Sequence, residues 1–402
     1  MTQTFQGYAR QDGRKGIRNV VAVVYLVECA HFVSRKITEK FGENEVHLIG
    51  FPGCFPNAYA QNMMEKLCTH QNVGAVLLVS LGCESFNRAK LENVIRESGR
   101  PVETLVIQKS GGTATTIQAG RAWIEKTLVE IADVPRIEMR VSDLIVGTIC
   151  GGSDGTSGIS GNPAAGRAFD KLVAQGAACI FEETGELIGC EDIMAARAAT
   201  PELAQELRNA VTKAEAYYDT LGFGSFASGN ATGGLTTIEE KSLGAYVKSG
   251  SSQISGLIKP GDIPPTGGLY LMDVVPDGDV RFGFPNIADN AEITEMIASG
   301  AHMTLFVTGR GSVVGSALAP VIKICANPDT YRALKDDMDV NAGAIIEGEK
   351  TLEEVGQEIF DTIIATADGA KTKSEELGHQ EFILTYKSFE PIGPACLPAP
   401  AR

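Results

Sequence analysis

Apolar and polar positions along the chain follow two alternating periods. Positions 20–27, 46–51, 75–81 and 102–107 are short, β-branched runs bounded by turn residues, and each predicts a buried strand. Between them, positions 30–41, 58–68 and 88–98 carry apolar residues at helical spacing, and 113–131 predicts a closing helix. Strand, helix, strand, helix predicts a parallel sheet with crossover helices. Asp133-Val134-Pro135 marks a boundary. A second cycle opens with a strand at 144–150 that runs into a Gly-rich loop, after which Asn162-Pro163 starts a helix where the missing proline N–H costs nothing. Further strands are predicted at 177–181, 269–275, 303–307 and 321–325, and further helices at 201–221 and 351–366. Positions 222–238 read as a shaped loop, and the Pro-rich tail 391–402 as extended. The fold class is therefore α/β: two parallel-sheet domains, 1–138 and 139–402, with the active site in a cleft at the carboxyl ends of the strands.

Composition narrows the setting. The 402 residues suffice for two or three domains at about 150 residues each. A formal charge of −15 repels polyanions, so neither nucleic acid nor anionic lipid is expected as a partner. No apolar run approaches the roughly 18–20 residues that span a bilayer, and the start lacks a charged n-region followed by an apolar h-region. A cytoplasmic protein is expected, in which the nine cysteines are free thiols and not a disulfide framework.

Three of those cysteines carry a pattern. Cys29, Cys54 and Cys83 each stand at or just past the end of one of the first three predicted strands. In an open parallel sheet ligands bind at that edge, so the three thiols are expected to converge on one crevice. Thiolates select iron, zinc or iron–sulfur clusters, and the absence of any C-x-x-C excludes a zinc ribbon. Cys150 ends the first strand of the second cycle, while Cys68, Cys179, Cys325 and Cys396 read as packing residues. His31, two residues after Cys29, is a candidate for the same crevice.

Two loops offer anion-binding chemistry. Gly152, Ser153, Asp154, Thr156 and Ser157 follow one strand, and Arg310 and Ser312 another, with closely spaced N–H groups, hydroxyls and a guanidinium. The alternative for both is a tight turn. Gly309-x-Gly311-x-x-x-Gly315 misses the dinucleotide fingerprint, and Pro320 interrupts the helix that motif requires. A carboxylate run, Glu182-Glu183-Thr184-Gly185-Glu186, follows a buried strand and suits acid–base work, hard metal ligation or a solvated helix N-terminus. His379 is a possible proton carrier.

The loop at 151–166, read with Asp12-Gly13-Arg14-Lys15-Gly16-Ile17-Arg18-Asn19 and Val307-Thr308-Gly309-Arg310-Gly311-Ser312, resembles the altronate/galactarate dehydratase family over nearly the whole chain. Within the family, Glu182-Glu183-Thr184-Gly185-Glu186-Leu187, Ile258-Lys259-Pro260-Gly261-Asp262 and His379-Gln380-Glu381-Phe382 are most similar to large subunits that act on sulfonated 2-hydroxy acids. The resemblance implies an iron-dependent lyase working as a hetero-oligomer with a separately encoded small SAF-domain subunit. It implies iron on Cys29, Cys54 and Cys83, as a three-cysteine [4Fe–4S] cluster in preference to mononuclear Fe2+. The reaction implied is loss of the C2 proton and then of sulfite from C3, leaving pyruvate. Arg310, Ser312 and the Gly152–Ser157 loop are expected to hold the sulfonate, with Arg14, Lys15 and Arg18 as second candidates. The general base stays open among His31, Glu183 and His379. The alternatives are an iron-dependent sugar-acid dehydratase and a non-catalytic subunit that binds a hydroxy acid.

Overall fold

The computed structural model describes residues 3–42, 45–222, 226–277, 288–384 and 386–387. Cys396 and the Pro-rich tail lie outside them.

Fourteen strands form three sheets among these residues. β1 (Thr4–Ala9), β2 (Lys15–Gly16) and β7 (Arg136–Arg140) make a small antiparallel sheet in the order β2-β1-β7. β3 (Val20–Tyr25), β4 (Val46–Gly50), β5 (Val73–Ser80) and β6 (Val102–Val106) make a parallel sheet ordered β4-β3-β5-β6. The remaining seven form a parallel sheet ordered β10-β11-β9-β8-β12-β13-β14: β8 (Ile145–Cys150), β9 (Ala178–Phe181), β10 (Ile254–Ile258), β11 (Gly268–Met272), β12 (Met303–Thr308), β13 (Val321–Cys325) and β14 (Val340–Asn341). The α/β class expected from the periodicity is the class observed.

The strands are apolar on both faces because both faces are covered. On one face of the four-stranded sheet, Val21, Val23 and Leu77 pack under the helices His31–Thr38 and Thr113–Ala132. On the other, Ala22, Val24 and Leu78 share one core with Ile149, Ile180 and Phe306 of the seven-stranded sheet and with the helix Asp289–Ala298. The far face of the large sheet packs against the helices Asn162–Ala174 and Leu352–Ala367. A single apolar core thus bridges the two parallel sheets. At the amino ends of the strands the bridge is polar: buried Asn72 donates to the carbonyls of His302 (3.0 Å) and Leu318 (3.2 Å), and His302 Nε2 donates to Lys15 O (2.9 Å).

Both parallel sheets reverse direction beside their first strand. The chain leaves β3 for β4 and returns to the other side as β5; it leaves β8 toward β9 and returns as β12. The loops after β3 and β5, and those after β8 and β12, therefore flank the two crevices where open α/β sheets bind ligands.

Candidate active site

At the crevice of the large sheet the loops after β8 and β12 are stitched together, with Gly151 N–H donating to Val307 O (3.0 Å) and Arg310 N–H to Gly152 O (2.9 Å). Beside them lies a cavity of about 450 Å³ lined by Cys150, Glu183, Glu186, Lys241, Asp289 and Glu292 among others. A Cβ at Gly151 would fall 2.1 Å from Asp289 Oδ2 and 2.6 Å from Phe306 Cζ, so a larger residue there would displace the side chains of the cavity.

Glu183 is the centre of the arrangement. With φ of +76° it is the one non-glycine residue in the left-handed region among the described residues, a conformation costing about 1–2 kcal/mol. The strain turns its carboxylate back over the end of β8. There it accepts from the Cys150 N–H (3.1 Å), lies 3.4 Å from Cys150 Sγ and pairs with the fully buried Lys248 ammonium. Lys248 Nζ is also 3.5 Å from Cys150 Sγ. Glu186, whose Oε2 lies 3.7 Å from Cys150 Sγ, pairs with Lys241. Burial disfavours the Lys241 ammonium, but Glu186 outweighs it and raises its proton affinity.

Around these pairs sit carboxyls whose proton affinity is raised. Burial, with Glu295, Asp289 and Glu186 adding to it and Lys387 opposing it, pushes Glu292 up to about 8. Burial and Glu186 push Asp289 up to about 6. Burial holds Glu182 well above the usual carboxylate range, and its Oε1 has no hydrogen-bond partner. Burial also raises the Cys150 thiol, with Lys248 opposing. The pocket therefore holds lysine–carboxylate pairs and a carboxyl, Glu292, that is protonated near neutrality. Such a set can take a proton at one group and supply one at another.

Two sets of three ligand-type atoms lie within 4.8 Å of one another: Cys150, Glu183 and Glu186, and Glu182, Glu183 and Glu292. In the first, lysine ammonium groups already supply the positive charge.

The three strand-end cysteines occupy the other crevice. All are exposed, and their loops are tied by backbone hydrogen bonds, Glu28 N–H to Pro52 O (3.2 Å) and Ser85 N–H to Cys54 O (2.9 Å). Cys29 and Cys83 flank the reversal point between β3 and β5, and Cys54 follows the neighbouring β4. Three accessible soft donors on joined loops fit an iron or iron–sulfur group. Their sulfurs are not all within 4.8 Å of one another, whereas one ion with metal–sulfur bonds of about 2.3 Å draws its sulfurs closer.

The other candidates are dispersed. His31 stacks on Tyr25, with ring centroids 5.0 Å apart, and its Nδ1 meets Glu28 at 3.2 Å, beside the cysteine crevice. His379, half-buried with Nδ1 unpartnered, packs against Gly315 in the segment after β12. Asp154 is buried and gathers its own loop, accepting from Thr156 N–H (2.8 Å), Ser157 N–H (3.2 Å) and both hydroxyls. Gly152 and Ser153 face the cavity. Arg310 is exposed and donates to Gly229 O (2.7 Å), while Ser312 Oγ accepts from Val314 N–H. Arg14, Lys15 and Arg18 precede β3 and so lie at the amino ends of the strands, away from both crevices. There Arg14 binds Asp12 and Thr69 O, Lys15 binds Asp143, and Arg18 forks onto Glu375 at 2.6 and 2.9 Å.

Sequence reasoning missed Lys241, Lys248, Asp289 and Glu292. The available signal was a lysine in the run Tyr246-Val247-Lys248, and acidic residues at 292 and 295 inside the apolar helical pattern of 289–298.

A parallel α/β chain with acid–base side chains at the reversal point of its sheet defines the class. Residues 7–132 match the family described as D-galactarate dehydratase/altronate hydrolase, second domain, and residues 141–389 match D-galactarate/altronate dehydratase, C-terminal. The (2R)-sulfolactate sulfo-lyase subunit beta of Chromohalobacter salexigens is 34% identical over 398 residues, 95% of this chain and 97% of that protein. Altronate dehydratase of Bacillus subtilis is 29% identical, covering 95% of this chain and 77% of that protein. Galactarate dehydratase (L-threo-forming) of Escherichia coli is 31% identical, covering 93% and 75%. The chain belongs to the galactarate/altronate dehydratase family.

Proposed function

We propose that this chain is the large catalytic subunit of a lyase that expels sulfite from (2R)-3-sulfolactate to leave pyruvate, working with a small SAF-type subunit. The observation that carries the chemistry is the buried Lys248–Glu183 pair beside the proton-bearing Glu292. The sulfonate as leaving group is supported by the 34% identity to a sulfolactate sulfo-lyase subunit over nearly its full length.

In this reading Glu183 takes the C2 proton, and the C2–H pair forms the C2–C3 double bond as the C3–S bond breaks and sulfite departs with its electrons. Lys248 stays as ammonium against the charge that develops. Glu292, protonated near neutrality, returns a proton to C3 of the enol, which loses its hydroxyl proton to become the 2-oxo acid. Ser153, Arg310 and the loop after β8 orient the sulfonate. Cys29, Cys54 and Cys83 would hold the iron, in the cluster form the resemblance implies, and bound iron would supply Lewis-acid stabilisation of developing negative charge. Residues 1–138 and 139–402 act as the two domains.

The dehydratases at 29% and 31% identity support a second reading, in which water leaves from a sugar acid such as altronate or galactarate. The purified chain, assayed with and without a small SAF-type subunit, is expected to release sulfite from sulfolactate only with the partner. Formation of a 2-oxo product from altronate or galactarate, with no sulfite from sulfolactate, would overturn the first reading in favour of the second.

A further inference from the structure

Cys150 has an unusual neighbour for a buried thiol. Its Sγ lies 3.5 Å from Lys248 Nζ, and Lys248 has no exposed side-chain surface. One oxygen of Glu183, Oε2, meets both groups: it contacts the ammonium and lies 3.4 Å from the sulfur. Ser153 Oγ stands 3.6 Å from the sulfur. A nucleophilic sulfur, an amine and a carboxylate able to remove the ammonium proton are thus packed together, the sulfur and the carboxylate at the wall of the cavity and the amine fully buried behind them.

We propose that Cys150 and Lys248 are a modification site, joined under oxygen by a single bridging oxygen atom between Sγ and Nζ. Glu183 first accepts a proton from the ammonium, leaving a free amine. Dioxygen is the oxidant, and its O–O bond breaks. One oxygen bonds to both Sγ and Nζ; the other leaves as water with the thiol hydrogen and one amine hydrogen. Sulfur and nitrogen each give up two electrons, and dioxygen takes the four. A bridge of this kind suits the observed separation better than a direct S–N bond, which would pull the two atoms much closer together. It removes the cation from Glu183 and the thiol from the cavity wall, so the oxidised pocket loses the pair on which the proposed chemistry depends. Two equivalents of a dithiol return the four electrons and restore both side chains. The bridge does not depend on which acid the pocket accepts.

The test is a mass measurement on the full chain. Protein prepared without oxygen is divided, one part kept with dithiothreitol and the other exposed to air. The exposed part is expected to gain the mass of one oxygen less two hydrogens. The gain should map to a pair of peptides joined at Cys150 and Lys248, block tryptic cleavage after Lys248 and revert with dithiothreitol. Cys150→Ser and Lys248→Arg, treated identically, should show no such gain. An unchanged mass in air, a whole oxygen on Cys150 with no joined peptides, or joined peptides lacking the oxygen would each overturn the proposal. Because the readout is mass, it stands whether sulfite, water or nothing leaves the substrate.

Discussion

The Lys248 ammonium lies against the Glu183 carboxylate with both side chains out of solvent. A buried ion pair gains little over apolar packing, but removing one partner strands an uncompensated charge at a cost of about 3–5 kcal/mol. Lys248→Met and Glu183→Gln are each expected to lower the denaturant midpoint, and the double variant to recover much of the loss. Each single variant should also lower kcat/KM by roughly 10²–10⁴-fold. Additive losses in a double-mutant cycle would show that the two residues do not act as a pair.

Glu292 sets an upper pH limit. Burial pushes its carboxyl up to about 8, so it carries a proton at neutrality and loses it as pH rises through that value. If it supplies the proton to the enol, kcat should fall on the alkaline side with a limb near pH 8. Glu292→Gln keeps the shape, and is expected to abolish the limb while lowering kcat by roughly 10²-fold. An alkaline limb that persists unchanged in Glu292→Gln assigns it to another group.

Iron content separates the two crevices. Cys29→Ser, Cys54→Ser and Cys83→Ser are each expected to lose iron and acid-labile sulfide from anaerobically purified protein. Because the three side chains are exposed, the unfolding free energy of each variant in the iron-free state should change by about 0.5 kcal/mol or less. Cys150→Ser should keep its iron. Iron retained in all three surface variants and lost in Cys150→Ser would move the metal to the carboxylate pocket.

Acid should open the seam between the sheets. His302 accepts the Ile145 N–H at Nδ1 (3.0 Å) and donates from Nε2 to Lys15 O, so the folded protein holds it neutral. Burial lowers it to about 4, and His70 beside it is lowered for the same reason. The unfolded chain binds the proton more tightly, so stability is full above about pH 6.5 and falls as pH drops toward 4. His302 alone accounts for roughly 3 kcal/mol of that loss. Unfolding midpoints measured from pH 8 to pH 4 should show the decline, and a flat profile would contradict it.

Much of the fold was legible because its strands and helices announce themselves locally. The helix Pro201–Leu221 and the strand Val321–Cys325 fall at the predicted positions. β1 and β7 were overlooked although Arg136–Arg140 alternates polar and apolar residues, because a short charged strand resembles a linker until its partner is known. The helix Asp289–Ala298 escaped notice because it is buried on nearly all sides, which removes the one-faced pattern that marks a surface helix. In the candidate site, Glu183 and the strand-end cysteines were visible because strand ends are readable from sequence. Arg14 and Arg18 looked like anion binders by residue type, but their position ahead of β3 puts them at the opposite end of the sheet.

By itself the sequence determined the α/β class, most strands and helices of the two parallel sheets in chain order, and the placement of Cys29, Cys54 and Cys83 at the ends of successive strands. These are properties of local period and chain order. Only the tertiary structure decided that Lys248, 65 residues beyond Glu183, closes onto its carboxylate, and that Glu292 keeps its proton. Pairing and proton affinity depend on which groups share a dry cavity, and that is set by the packing of the helix Asp289–Ala298 and the loop after β9 over the end of β8.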